Sequence, residues 1–223
     1  MNINDVKMKD LGIDTSDKLN QIFHRQLELM KTYHTIEKDN GLMATEDVPV
    51  SLHDAKGQYR LKDFAWRITE ELGEALEARR EHADLRDHYD EEIADALHFL
   101  VEFTILSGMS PIDILGFYNP PQKDGLDILF ERCPLSRNRN FPVLCRVVGE
   151  TVLELATACN CLKNKPWKMT RMVTDEAYFR SKVRSTWRSF IDLCVVSGID
   201  QVQLFNLYFQ KSEVNKFRQR SNY

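Results

Sequence analysis

The sequence predicts an all-α fold, a helical bundle built from a degenerate internal duplication. Three observations predict it. Apolar residues recur at three- and four-residue spacing through most of the chain, as in Leu61, Phe64, Ile68, Leu72 and Ala75, which is the period of one helix face. No segment alternates with period two for long enough to form a strand. Finally, Phe103 to Tyr118 (FTILSGMSPIDILGFY) and Leu193 to Tyr208 (LCVVSGIDQVQLFNLY) share Ser, Gly, Tyr and nearly all apolar positions at an offset of 90. Self-similarity at a fixed offset is the mark of repeated structure.

The elements follow in order. Thr15-Ser16-Asp17 offers capping side chains for a first helix carrying Leu19, Ile22, Phe23, Leu27, Met30 and Tyr33, and Asn40-Gly41 stops it. Residues from about Leu42 to Gln58 lack a period and contain Pro49, so they predict a loop. A second helix runs from about Tyr59 to His82 and a third from about Asp87 to Ser107, with Gly108 placed for a left-handed cap. Ser110-Pro111 starts a short helix that Asn119-Pro120-Pro121 ends. From there to about Asn140 the pattern is lost, which predicts a long, mobile connection over about 119–140. Further helices are expected over Pro142 to Leu162, over Asp175 to Ser197 with Thr174 as cap, and from Asp200 towards Gln219. Arg67-Ile68 and Glu71 also align with Arg146-Val147 and Glu150, at an offset of 79. The expected organisation is one domain, 1–223, with pseudo-repeats over about 59–118 and 142–208.

A length of 223 residues leaves ample chain for a core, and the net charge of −4 gives no overall electrostatic reason to bind nucleic acid. The five cysteines have neither zinc nor redox spacing, which predicts free thiols in a reducing compartment. The polar start and the lack of a long apolar run predict an intracellular protein with no membrane partner: cytoplasmic, or nuclear in a eukaryote.

The stretch 71–95, ELGEALEARREHADLRDHYDEEIAD, organises the functional reading. Glu71 and Glu74 lie one turn apart on one helix, and Glu92 and Asp95 on the next. An ExxE spacing alone is commonly a solvated face. Here, however, Glu92 and Asp95 share an angular sector with Phe99, Phe103 and Leu106, while Glu71 sits on the shoulder of the Leu61–Ala75 stripe. Inward carboxylates are costly unless paired or bound to a hard cation. The second copy has lost the set: Leu153, Lys182 and Ser185 stand where Glu74, Glu92 and Asp95 stand in the first. One half would therefore hold metal, and the other would scaffold it or add substrate contacts.

Other signals are weaker singly. Lys211, Asn215 and Arg218 fall on one helical face, suited to phosphates beside a polar ring edge. His98 and Phe99 offer a hydrogen bond and a stacking surface, and Gln26 an amide for a base edge. Lys165, Trp167 and Lys168 could cover a ligand. Taken together, an anionic metal cluster facing a cationic, aromatic wall suits a magnesium-bound nucleoside triphosphate.

EELGEALEA followed by EEIADALHFL resembles the ExxE…ExxD signature of the all-α MazG-like nucleotide pyrophosphohydrolases. The DALHFL run at 95–100, the KPW at 165–167 and the Tyr208, Lys211, Asn215, Phe217, Arg218 pattern are similar to those of dimeric dUTPases and phage dCTPase-dUTPases. The resemblance implies a homodimer that hydrolyses dUTP, or a related pyrimidine deoxynucleotide, to the monophosphate and pyrophosphate. It further implies two or more Mg2+ ions, or Mn2+ in their place, on Glu71, Glu74, Glu92 and Asp95, with Glu71 or Glu74 as base. Gln26, His98, Phe99 and Asn215 would surround the pyrimidine, Lys211 and Arg218 would hold phosphates, and Tyr208 would belong to the same binding set. Lys211-Ser212 and Asn222-Tyr223 stand where that family commonly has KN and GY. The alternatives are a dual dCTP/dUTP enzyme, a broader house-cleaning pyrophosphohydrolase and, in a different class, a non-catalytic helical binding protein.

Overall fold

The computed structural model describes residues 1–81, 86–116, 123–138, 140–165 and 167–220. Expectations for Tyr118, Asn119-Pro120-Pro121, Pro166 and Asn222-Tyr223 lie outside the described residues. Eight α-helices succeed one another, and no strand forms among the described residues. They are α1 (Lys18–Asp39), α2 (Ala55–Glu81), α3 (Arg86–Leu106), α4 (Pro111–Leu115), α5 (Gly125–Glu131), α6 (Phe141–Cys161), α7 (Glu176–Ser197) and α8 (Gln201–Arg220). No single helix among these residues is long and apolar enough to cross a membrane.

α3 is the central element. Ile93, Ala94, Ala96, Leu97, Leu100, Val101, Phe103 and Leu106 are buried around nearly its whole circumference, as expected of a helix enclosed by others. It packs most extensively against α2 and also touches α1, α7 and α8. The other dominant pair is α6 with α7, and α2 lies against α6. Two polar groups inside find partners across helices: the Trp187 indole N–H donates to Thr104 Oγ1 at 2.8 Å, and Tyr89 shares a 2.6 Å bond with Ser197.

The two hairpins end alike. Gly108 (φ 69°) follows α3 and Gly198 (φ 74°) follows α7, both in the left-handed region that glycine adopts without a Cβ penalty. At each end two tight bonds close the helix. Gly108 N–H donates to Ile105 O and Met109 N–H to Thr104 O; Gly198 N–H donates to Val195 O and Ile199 N–H to Cys194 O.

Three local expectations are corrected. The 119–140 connection contains α5, whose N-cap Asp124 accepts from Leu126 N–H at 2.7 Å and also pairs with the Lys18 ammonium. Leu126 and Ile128 of α5 are buried, so a one-face pattern seven residues long was too short to register as periodic. α2 begins at Ala55, four residues before Tyr59. Thr174 does not cap α7: its hydroxyl donates to Leu52 O at 2.6 Å, and Asp175 accepts from Tyr178 N–H instead. The polar lead-in forms two 3-10 turns, Ile3–Asp5 and Met8–Asp10, with Ile3 and Val6 buried and Gln210 on α8 donating to Val6 O at 2.8 Å.

Candidate active site

α2 and α3 carry the acidic residues, and their packing brings carboxylates of Glu71, Glu74 and Glu92 together, with one oxygen of each within 4.8 Å of the others. Glu92 is buried, Glu71 half-buried and Glu74 exposed. Burial, reinforced by the charges of Asp95, Glu92 and Glu74 and a hydrogen bond with Glu92, pushes the Glu71 carboxyl up to about 8. His88 Nδ1 lies 3.1 Å from Glu92 Oε1. Oxygen donors this close are a fitting set for a hard divalent cation, which would relieve the repulsion that holds Glu71 protonated.

Asp95 sits beside this trio but on a different partner. Its Oδ2 lies 2.7 Å from the Lys211 ammonium, which also approaches Glu91 at 3.8 Å. Burial raises the Asp95 carboxyl to about 6 against the opposing pull of Lys211. Lys211 is itself buried, so the side chain expected to hold phosphate is placed as the counter-charge of Asp95.

Next to the acids opens a cleft of about 250 Å³ between α1, α2, α3 and α8. Gln26, His98, Phe99, Asn215 and Arg218 line it, together with Glu71 and Asp95. Phe99 is half-buried and meets Phe64 edge-on at 6.1 Å. His98 is enclosed. It stacks on Tyr208 at 4.0 Å, its Nδ1 lies 2.9 Å from Gln26 Oε1, and its Nε2 lies 3.2 Å from Tyr208 O. Burial drives His98 down to about 3, so its imidazole is neutral at ordinary pH and braces the wall instead of carrying charge. Tyr208 is fully buried behind the cleft, and its hydroxyl lies 2.8 Å from Gln26 Oε1.

Five residues of the cleft were missed by the sequence reading: Leu29, Tyr33, Glu37, Arg67 and Glu102. Glu102, 4% exposed, accepts from Gln26 Nε2 at 2.8 Å and lies 3.0 Å from His34 Nε2. Glu37 accepts from Arg60 and Arg67, each at 2.8 Å, and Arg67 lies over the Phe64 and Phe99 rings at 4.6 and 5.8 Å. One signal was available: Glu102 follows Asp95 by seven and His98 by four, the same helix face.

The second helix pair shows what the acid cluster replaces. Lys182, at the position equivalent to Glu92, is 2.9 Å from Glu154 on α6, a self-compensated pair where the first copy gathers like charges. Like charges are retained at the α2–α3 contact alone of these two contacts, against their own electrostatic cost.

A family described as dUTPase matches residues 18–223, a span that includes all eight α-helices and the whole cleft. The chain belongs to the dUTPase family. No curated protein and no solved structure gives a significant match. The protein is thus a dUTP diphosphatase that takes a nucleotide substrate, in agreement with the resemblance carried by the ExxE…ExxD, DALHFL and tail motifs.

For this dUTPase, the cover expected from Trp167 and Lys168 is not assembled at the cleft. Both lie outside its lining, Trp167 is 75% exposed, and Lys165 rests over its ring at 5.3 Å. Their loop is tied to the start of α2, where Asn164 N–H donates to Gln58 Oε1 at 2.7 Å. Gln58 and Glu71 are thirteen residues apart on α2, which at 1.5 Å per residue is ~20 Å. The five cysteines are free thiols, as their spacing predicts.

Proposed function

We propose that this dUTPase hydrolyses dUTP to dUMP and pyrophosphate with magnesium held by Glu71, Glu74 and Glu92, joined by Asp95. The observation that carries the proposal is the convergence of three carboxylates at the mouth of a cleft walled by Phe99, Gln26, Asn215 and Arg218. A bound divalent ion supplies Lewis acidity toward phosphate oxygens and lowers the pKa of a coordinated water. Glu71 lies nearest the cleft of the three and is the one we assign as proton acceptor from the attacking water. Arg218 and Arg67 supply guanidinium donors for phosphate oxygens, a planar geometry suited to that contact. Lys211 holds Asp95 and acts through it.

Uracil is favoured over cytosine by the way Gln26 is held. Its Nε2 donates to the Glu102 carboxylate, while Oε1 faces the Tyr208 hydroxyl and His98 Nδ1. An amide oxygen has two acceptor sites and an amide nitrogen two N–H donors. With one N–H turned to Glu102, Gln26 keeps its second N–H for the cleft, which suits a ring carbonyl and not an exocyclic amine. Phe99 supplies the stacking face. Because the family resemblance implies it, we also propose a homodimer, measurable by light scattering of the eluted protein.

Pyrophosphate release from dUTP, dCTP, dTTP, dATP and dGTP with magnesium tests the proposal. Selective turnover of dUTP is expected. Equal turnover of dUTP and dCTP would refute the Gln26 argument while leaving the metal chemistry standing.

A further inference from the structure

α7 carries a second cleft in register with the first. Asp95, His98 and Glu102 line the α3 cleft; ninety residues on, Ser185, Arg188 and Asp192 line a cavity of about 290 Å³. Ser181 and Arg184 complete the α7 wall, with Arg132 and Cys133, which follow α5, facing them. The volume falls near the lower end of small-molecule sites, ~300–1,000 Å³.

The charge of the duplicated cleft has been inverted. The first is lined by Glu37, Glu71, Asp95 and Glu102 against Arg67 and Arg218, the second by Arg132, Arg184 and Arg188 against Asp192. Arg132 Nη1 donates to Leu115 O at 2.7 Å, which fixes it at the rim. Arg184 makes a long contact to Asp113 O at 3.4 Å and helps hold the Asp113 carboxyl below its usual range. Its guanidinium has five N–H donors, so most of the fork remains for a ligand. Arg188, one turn further along α7, is exposed.

A second observation narrows the ligand. Asp192 Oδ1 is buried without a hydrogen-bond partner among the described residues, while the Asp192 side chain also meets the Cys133 thiol, which burial and this contact push up to about 12. An orphaned acceptor inside a cationic cleft is a cost that a ligand donor would remove. Sulfate, which has no proton to donate, satisfies the arginines alone, whereas a phosphorylated molecule with a hydroxyl or ring N–H satisfies both.

We propose that this cleft binds a phosphorylated small molecule of nucleoside monophosphate size, with its phosphate on Arg184 and Arg188 and a hydroxyl or N–H on Asp192 Oδ1. The α3 cleft and its copy would then divide the nucleotide between them, one for turnover and one for binding alone. The inference does not depend on which triphosphate the first cleft cleaves.

Calorimetric titration of the full chain with dUMP in excess chelator tests it, because unneutralised acids in the first cleft then disfavour phosphate there. One saturable event is expected. It should weaken at least tenfold in R184A/R188A, and in R188E as a single surface change whose fold circular dichroism verifies, but persist in R218A. Sulfate should bind more weakly than dUMP. The proposal is overturned if no saturable event occurs, if R184A/R188A and R188E bind like wild type, or if R218A alone abolishes binding. Sulfate binding as tightly as dUMP would overturn the role of Asp192.

Discussion

Replacing Glu92 by Gln separates a metal site from a structural network. Oxygens of Glu71, Glu74 and Glu92 lie within 4.8 Å of one another. At that separation two unit charges repel by on the order of 1 kcal/mol with water-like screening and by about 3.5 kcal/mol at an effective dielectric constant of 20. Glu74 is exposed, so the lower figure governs its share. Glu71 is half-buried and its share is larger, so removing the Glu92 charge should stabilise the metal-free protein by at least about 1 kcal/mol, which for a chain of this size moves Tm up by at least about 2 °C. The measurement is a thermal melt at pH 8.5, where the raised Glu71 carboxyl is mostly ionised and repulsion is expressed. His88 lies near Glu92, but an amide keeps an acceptor for it. Magnesium should raise the Tm of wild type, by mass action on the folded state, and leave E92Q nearly unmoved. If E92Q melts lower than wild type without metal and still responds fully to magnesium, the carboxylates form a structural network and the metal reasoning fails.

Three further outcomes follow from named contacts. E102Q frees Gln26 to turn its amide, so the dUTP-to-dCTP ratio of kcat/KM should fall about tenfold, the worth of one hydrogen bond of about 1.4 kcal/mol; an unchanged ratio contradicts the assigned amide orientation. Glu71 has a folded pKa raised to about 8, above its ordinary value of 4.5, so its ionisation opposes folding. Between pH 6.5 and 8 the proton that folded Glu71 keeps outweighs the one that unfolded His98, with its ordinary value of 6.5, still holds, and Asp95 is largely ionised; metal-free stability should therefore fall as pH rises, and denaturant midpoints across that window check it. At pH 7 a group titrating at about 8 is about nine-tenths protonated, so metal binding should release close to one proton, read from calorimetry in buffers of different ionisation enthalpy; a buffer-independent enthalpy is the contrary result.

Much of the fold was legible because amphipathic periods survive burial. The Leu61–Ala75 stripe and the Gly108 and Gly198 stops follow from spacing and backbone sterics alone. Short elements escaped: α5 spans seven residues, too few turns for a pattern to rise above its neighbours. Within the site, Glu71, Glu74 and Glu92 could be paired from their spacing and their position against apolar residues. What sequence spacing could not give was the partner of each polar group. Lys211 looked like a phosphate ligand on the face it shares with Asn215 and Arg218, yet packing of α8 on α3 turns it onto Asp95. Glu102 and Arg67 read as ordinary helical charges until α1 brings Gln26 and Glu37 against them. Trp167 and Lys168 were grouped with the site by motif, but their loop is bonded to the far end of α2.

The central claim is that Glu71, Glu74 and Glu92 hold the ion on which dUTP hydrolysis depends. The most direct measurement is dUMP and pyrophosphate formation from dUTP by wild type and E92Q, each with saturating magnesium and after exhaustive chelation. The account predicts equimolar products from wild type with magnesium, none after chelation, and a loss of at least a hundredfold in E92Q with magnesium present, about 2.7 kcal/mol of transition-state stabilisation. Undiminished turnover by E92Q, or by chelated wild type, would contradict it.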